Sequence, residues 1–234
     1  MLRRLCPLVL LLALATPIPA GAEGRLFASW HAAYGDPRAS DTLTAACDNK
    51  GADTLYLSFD PGQDIKTFYA ITATVTFHAE EGDTLGELWR FGGGSGNLYN
   101  VRVQAGPDPS FRTLQPWIKE AIGGVNYHRT ASHGYLRMVY ANSSNEPDSL
   151  KNGKRYCFAR VMIPHPPASI AKCSQPICVE LESANLTVQL IGGKELELRR
   201  GERFVSWNSP GGRVCGPMRE RKRTGPWVPW EEKH

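Results

Sequence analysis

From residue 69 to residue 77 every second position is apolar: Tyr69, Ile71, Ala73, Val75 and Phe77, with Thr72, Thr74 and Thr76 between them. Alternation of that length predicts a strand with one buried face, and β-branched threonines suit a pleated surface. Leu55, Leu57 and Phe59 predict a second strand, and Tyr99, Val101 and Val103 a third. Weaker patterns place strands through Leu85–Phe91, Tyr135–Ala141, Arg155–Ile163, Ile177–Leu190, Leu196–Leu198 and Arg203–Trp207. Turn chemistry separates them at Asp60-Pro61-Gly62, Glu81-Gly82-Asp83, Gly92 to Gly96, Asn152-Gly153 and Gly192-Gly193. A short helix is predicted over Pro116–Ile122, with Pro116 suited to the first turn and Gly123 to the end. Residues 23–46 read as an extended lead-in that joins a sheet near Leu43–Cys47. About nine or ten strands and no long helix predict an all-β fold, an antiparallel two-sheet β-sandwich of Ig-like or jelly-roll kind. No internal repeat is visible, which argues against a propeller or β-helix.

The first residues read differently. Arg3 and Arg4 precede an apolar run from Leu5 to Ala15, Pro17 and Pro19 interrupt it, and Ala20-Gly21-Ala22 gives a small-residue cleavage pattern. Residues 1–22 are therefore expected to be a signal peptide. The run is shorter than the roughly 20 apolar residues a spanning helix needs, and no later segment is apolar enough to span, so no transmembrane segment is expected after cleavage. The remaining chain divides into a sandwich domain at 23–215 and a C-terminal tail at 216–234 that carries Pro217, Pro226, Pro229, Trp227 and Trp230.

A secreted, periplasmic or extracellular location changes how the cysteines are read. Five remain after residue 22: Cys47, Cys157, Cys173, Cys178 and Cys215. Disulfides are expected outside the cytoplasm, and an odd count leaves a thiol over. Strand parity puts Cys157 beside Ala159, Val161 and Ile163 on an apolar face, so it is the expected free thiol. Cys173 and Cys178 would then close a short loop, and Cys47 with Cys215 a long one, one of three connectivities open to four cysteines.

The chain of 234 residues has 27 Lys and Arg against 23 Asp and Glu, a formal charge of +4. Loss of Arg3 and Arg4 brings that to +2. Residues 199–223 alone hold eight basic residues against Glu202 and Glu220. No nucleic-acid-reading motif accompanies this basic end, and nucleic acid is not expected as a partner.

Catalytic patterns are missing. There is no His-Glu-x-x-His, Gly-x-Ser-x-Gly, P-loop or EF-hand loop, and Gly92–Gly96 lies between predicted strands instead of opening a helix. Glycoside hydrolysis would require two carboxylates across a cleft. Glu80/Glu81, Glu180/Glu182 and Glu195/Glu197 are the available pairs, and the latter two are expected to face solvent on the polar side of strands. No catalytic residue and no metal ligand is assigned. No cofactor is expected; the alternative is a Ca²⁺ ion held by the turn acids Asp48, Asp53, Asp60 and Asp64. Binding is the better-supported class. Trp30, Trp117, Trp227 and Trp230 fall in loop or tail contexts, where exposed aromatic rings stack on sugars or anchor protein interfaces.

Several segments resemble a group of uncharacterised secreted bacterial proteins. They are Trp30-His31-Ala32-Ala33-Tyr34-Gly35, the run from Phe68 to Phe77 with Glu81-Gly82-Asp83-Thr84-Leu85-Gly86, the stretch Cys173 to Glu180, and Phe204 to Gly212. More distantly the strand layout is similar to cohesin-like and carbohydrate-binding sandwiches, which implies a role in binding or assembly. The expected function is a secreted, non-catalytic β-sandwich that binds a partner protein or a cell-surface glycan. The alternatives are an extracellular carbohydrate-active hydrolase using a carboxylate pair and a structural envelope protein without a ligand.

Overall fold

The computed structural model describes residues 23–48, 50–89, 91, 101–106, 114–117, 119–143, 148–165, 167–169, 173–189 and 194–216. The expected signal peptide, Gly92–Gly96, Trp227 and Trp230 lie outside them. In chain order the strands are β1 (Arg25–Trp30), β2 (Thr42–Leu43), β3 (Ala52–Asp60), β4 (Ile65–Phe68), β5 (Ala70–Ala79), β6 (Arg102–Gln104) and β7 (Ala121–Arg129). They continue as β8 (His133–Asn142), β9 (Asp148–Leu150), β10 (Tyr156–Pro164), β11 (Ile177–Gln189), β12 (Lys194–Leu198) and β13 (Phe204–Trp207). The described residues are thus all-β, and the helical elements among them are 3-10 turns at Glu87–Trp89 and Pro210–Cys215.

Several sheets result. One has four strands in the order β1-β3-β10-β6; the largest has seven, with β2-β13-β11-β5-β8-β7 in a row and β12 beside β11; β4 and β9 form a small third. The pairings are antiparallel except for β13 with β2. The periodicity in residues 69–77 becomes β5, where Ile71, Ala73, Val75 and Phe77 are buried. They meet Leu55, Leu57 and Phe59 of the four-stranded sheet in one core. Trp207 sits at its centre, with ring centroids 5.7 Å from Trp30 and 5.0 Å from Trp89. Trp30 also donates its indole N–H to Ser206 O at 3.1 Å, tying β1 of the smaller sheet to β13 of the larger.

Four expectations are corrected. The described residues of Pro116–Ile122 do not form the predicted helix, and Ala121 instead opens the strand β7. β7 is exposed along almost its whole length, so neither side of it shows an apolar stripe. Leu85–Phe91 is a loop with one 3-10 turn, because Leu85, Leu88, Trp89 and Phe91 all insert into the core and cannot do so from one face of a strand. The lead-in contains a full strand, β1, that reads as irregular because five of its six residues are buried.

The fourth correction is the disulfide pairing. Cys47 bonds Cys173, and Cys178 bonds Cys215. Cys178 points outward from β11 onto the 3-10 turn that carries Cys215, where both pack with Val214 and Phe204. Asn208 gathers the other pair: its Oδ1 accepts from Ala45 N at 2.8 Å and its Nδ2 donates to Cys173 O at 3.4 Å. Among the described residues the free cysteine is Cys157, 1% exposed, but not for the expected reason. A bulge between Cys157 and Ala159 reverses the parity of β10, so Cys157 stands opposite Ser58 and not on the core side. Burial, opposed by the Ser58 hydroxyl, pushes its thiol up to about 12, which leaves it a packed hydrophobe at neutral pH.

Candidate functional site

The two described tryptophans of the expected binding set do not form a platform. Trp30 is 0% and Trp117 4% exposed. Trp117 donates its indole N–H to Phe158 O at 2.9 Å and packs 5.6 Å from Phe68. Both anchor the core, and the sequence missed this because the flanking residues are irregular while the rings point inward.

The acids are also redeployed. Glu180, expected at the surface, is 1% exposed. Arg203 Nη1 stands 3.3 Å from Glu180 Oε1 and donates to Glu182 O at 2.6 Å. His78 Nε2 lies 3.3 Å from Glu180 Oε2, a contact that falls short of hydrogen-bond geometry. Thr76 donates its hydroxyl to Glu182 Oε2 at 2.9 Å. The four turn acids considered for Ca²⁺ hold protein donors instead. Asp60 accepts from Gly62 N, Asp64 from Asn152 N and Lys151 Nζ, and Asp48 and Asp53 flank His165. Among the described residues no group of three or more His, Cys, Asp or Glu is placed to hold a metal ion, and no helix is long and apolar enough to cross a membrane.

His165 faces a carboxylate from each ring nitrogen: Nδ1 is 3.2 Å from Asp48 and Nε2 2.9 Å from Asp53. Burial lowers the His165 pKa, but Asp53 and Asp48 outweigh it and hold it above the ordinary histidine value. Asp48 is held low, first by Lys50 N–H and also by His165. With a raised folded-state pKa, the stability from the imidazolium is complete below the unfolded value of about 6.5 and is lost as pH rises through the folded value. At the acid end it fails as pH falls through the depressed pKa of Asp48. Urea unfolding of wild type and His165→Gln should therefore show their largest difference near pH 5.5. That difference should shrink by pH 8.5; equal differences at the two pH values contradict the clamp.

An open cavity of about 630 Å³ lies beside β1, lined among others by Tyr34, Asp36, Ser40, Asp41, Glu202 and Phe204. Tyr34 is not free to stack on a ligand. Its ring lies 4.7 Å from Phe27 and the Arg155 guanidinium covers it at 4.6 Å. Asp36 is engaged by Arg38 at 2.9 Å.

The broader feature is the outward face of the seven-stranded sheet. Register sets opposite one another Ile122 and Ala141, Gly124 and Val139, Asn126 and Arg137, and His128 and Tyr135 between β7 and β8. Across β8 and β5 the pairs are Val139 with Thr72, Arg137 with Thr74, Tyr135 with Thr76 and His133 with His78. Ile122 is 62% and Val139 46% exposed, diagonal neighbours in an area otherwise small and polar. At the other end His128 and His133 both lie near-parallel to the Tyr135 ring, each with centroids 6.2 Å away. Burial and the neighbouring His78 lower the His133 pKa, opposed by Glu182, so this ring row is neutral at pH 7 at His133. The face therefore runs from an apolar end to an aromatic, imidazole-bearing end, with Arg137 between.

β7 closes this face on one side. Other sheet edges are shielded: β1 donates from Leu26, Ala28 and Trp30 to Arg200, Glu202 and Ser40, while β2 and β6 have two and three residues. β7 has nine residues and stands last in the strand order of its sheet among the described residues.

No protein-family model and no curated protein matches the chain. Among solved structures it is similar to a type III cohesin module from the cell-surface anchoring scaffoldin ScaE of Ruminococcus flavefaciens. The TM-score is 0.32 at 13% identity, over 80% of this chain and 89% of that one. It is also similar to BslA, a bacterial hydrophobin, with a TM-score of 0.22 at 8% identity over 79% and 90% of the two chains.

Proposed function

We propose that the protein is a secreted two-layer β-sandwich that binds a partner protein through the outward face of its seven-stranded sheet, without catalysis. The observation that carries this is the exposed Ile122–Val139 pair on the outward face of the seven-stranded sheet. Exposed apolar residues ringed by polar ones are how protein-docking surfaces look, since the centre supplies burial and the rim hydrogen bonds. Two disulfide bridges and the leader read at residues 1–22 support an oxidising compartment, periplasmic or extracellular. A protein is favoured over a glycan because Trp30 and Trp117 are spent in the core.

A photoreactive amino acid placed at Val139 should crosslink a protein of the cell envelope, and the same group at Arg160, on the four-stranded sheet, should not. The variant Ile122→Lys/Val139→Lys should lose binding about tenfold or more with an unchanged Tm, the size expected for central interface residues. Equal capture by both variants and from both faces would refute the reading.

A further inference from the structure

We propose that Arg25 and Arg155 form a site for a phosphate monoester on the outward face of the four-stranded sheet, apart from the partner-protein face. Three observations lead there. The first is placement. Leu26, Ala28 and Trp30 of β1 belong to the common core, so Arg25 and Phe27 point outward. The guanidinium carbon of Arg25 lies 5.6 Å from the Phe27 ring centroid, and that of Arg155 lies 4.3 Å from it. Arg155 also covers Tyr34 at 4.6 Å. Stacking on two aromatic rings accounts for Arg155. It does not account for a second arginine at the same ring.

The second is charge. Neither arginine has an ion-pair partner among the described residues. The acid set opposite Arg25 is Asp60, and it is turned to the backbone. Its Oδ1 accepts from Gly62 N at 3.0 Å and from Gly153 N at 3.3 Å. Arg200, which bridges Arg25 through the main chain, is paired with Glu23. Lys154, exposed and next to Arg155, adds a third cation with no ion pair among the described residues. Burial lowers the Arg155 pKa, Asp60 opposes this, and Arg25 adds to the lowering. A ligand of about two negative charges would relieve that repulsion, which is the charge of a phosphate monoester and twice that of a carboxylate.

The third is preorganisation. Arg155 Nη1 donates to Tyr34 O at 2.9 Å, and Gly35 follows with a φ of +97°. A Cβ on Gly35 would strike Nη1, so the loop after β1 needs glycine to lie against the guanidinium. Nε is buried without a hydrogen-bond partner, whereas Nη2 is neither bonded among the described residues nor counted with the buried polar atoms. The fork is therefore held in place with Nη2 open to a ligand, and a fixed arginine fork suits phosphate oxygens.

The test titrates isotope-labelled protein with inorganic phosphate at constant ionic strength and reads the arginine Nε–H signals by NMR. Those of Arg25 and Arg155 should shift together and saturate, and chloride should move neither. Arg25→Gln should weaken phosphate binding about tenfold, whereas Lys66→Gln, which removes a charge from an exposed position on β4, should not. Arg155→Lys keeps the charge, loses the fork and should weaken binding by a similar factor. Should that variant fail to fold, Arg25→Gln at an exposed position still decides. Shifts that do not saturate, equal losses in Arg25→Gln and Lys66→Gln, or the same response to chloride would each overturn the site. Glucose 6-phosphate and phosphatidylcholine vesicles containing phosphatidic acid then separate a soluble ester from a lipid headgroup. Displacement of inorganic phosphate by either supports the monoester and names its source; displacement by neither contradicts it. Protein capture from Val139 is independent of these results, so each proposal can fail alone.

Discussion

Replacing Cys47 and Cys173 together by serine is expected to lower the unfolding free energy by about 4–5 kcal/mol. The bridge spans 126 residues of sequence, and closing a loop of that length removes about 5 kcal/mol of chain entropy from the unfolded state in the loop-closure model. Part of that is regained because unfolded chains are not fully random, which sets the lower figure. The Cys178–Cys215 bridge, with a separation of 37, is worth about 4 kcal/mol by the same reasoning. The expected pairing of Cys173 with Cys178 would have constrained only a few residues. Chemical denaturation of the two double-serine variants separates the schemes, and peptide mapping without reduction identifies the linked fragments directly. A Cys47→Ser/Cys173→Ser protein as stable as wild type would contradict the observed long-range link.

Arg203→Met should cost about 3–5 kcal/mol, because it removes the guanidinium that stands 3.3 Å from the buried Glu180 carboxylate. Arg203 is itself mostly buried. Burial lowers its pKa, opposed by Glu180 and Glu182, and the guanidinium remains charged at any ordinary pH. Two desolvated charges of this kind roughly cancel against their own hydration, so their removal together should be nearly neutral. The variant Glu180→Leu/Arg203→Met is therefore expected to recover most of the loss, within about 1 kcal/mol of wild type. A double variant as unstable as Arg203→Met alone would show that the packing of the Arg203 stem, and not the orphaned charge, sets the cost. The pair also bears on the candidate face, since it fixes β13 to β11 behind the His78 and His133 rings.

Strands with one wet and one dry face were legible in the chain. β3, β5 and β8 match their alternation, and β10 and β11 do so only past their bulges, from Ala159 and Ala184 on, because a period of two is visible only when the two faces differ. β1 and β7 failed that test from opposite directions, the first with nearly every residue buried and the second with nearly every residue exposed. β7 was mistaken at its start for a helix end, although its Gly123-Gly124 pair is a poor helix former and was the one available signal. The cysteines that pair were legible as a set. Their partners were not, because the bulges in β10 and β11 and the bridging role of Asn208 arise only in three dimensions. The candidate face was illegible for a related reason. It is defined by register, which brings Ile122 of β7 diagonal to Val139 of β8 and aligns His128, Tyr135, His133 and His78 across three strands. Trp30 and Trp117, the described members of the expected ligand platform, stand in the core, where their area stabilises most.

The claim that the seven-stranded sheet presents the binding face is tested most directly by a crosslinking map that samples the whole surface at once. Photoreactive groups at Val139 and Asn126 mark the proposed face, one at Arg160 marks the opposite sheet, and one at Asp41 marks the cavity beside β1. The proposal predicts that Val139 and Asn126 capture the same partner protein and that Arg160 and Asp41 capture none. Capture confined to Asp41, with Val139 and Asn126 silent, would contradict it and move the function to the cavity.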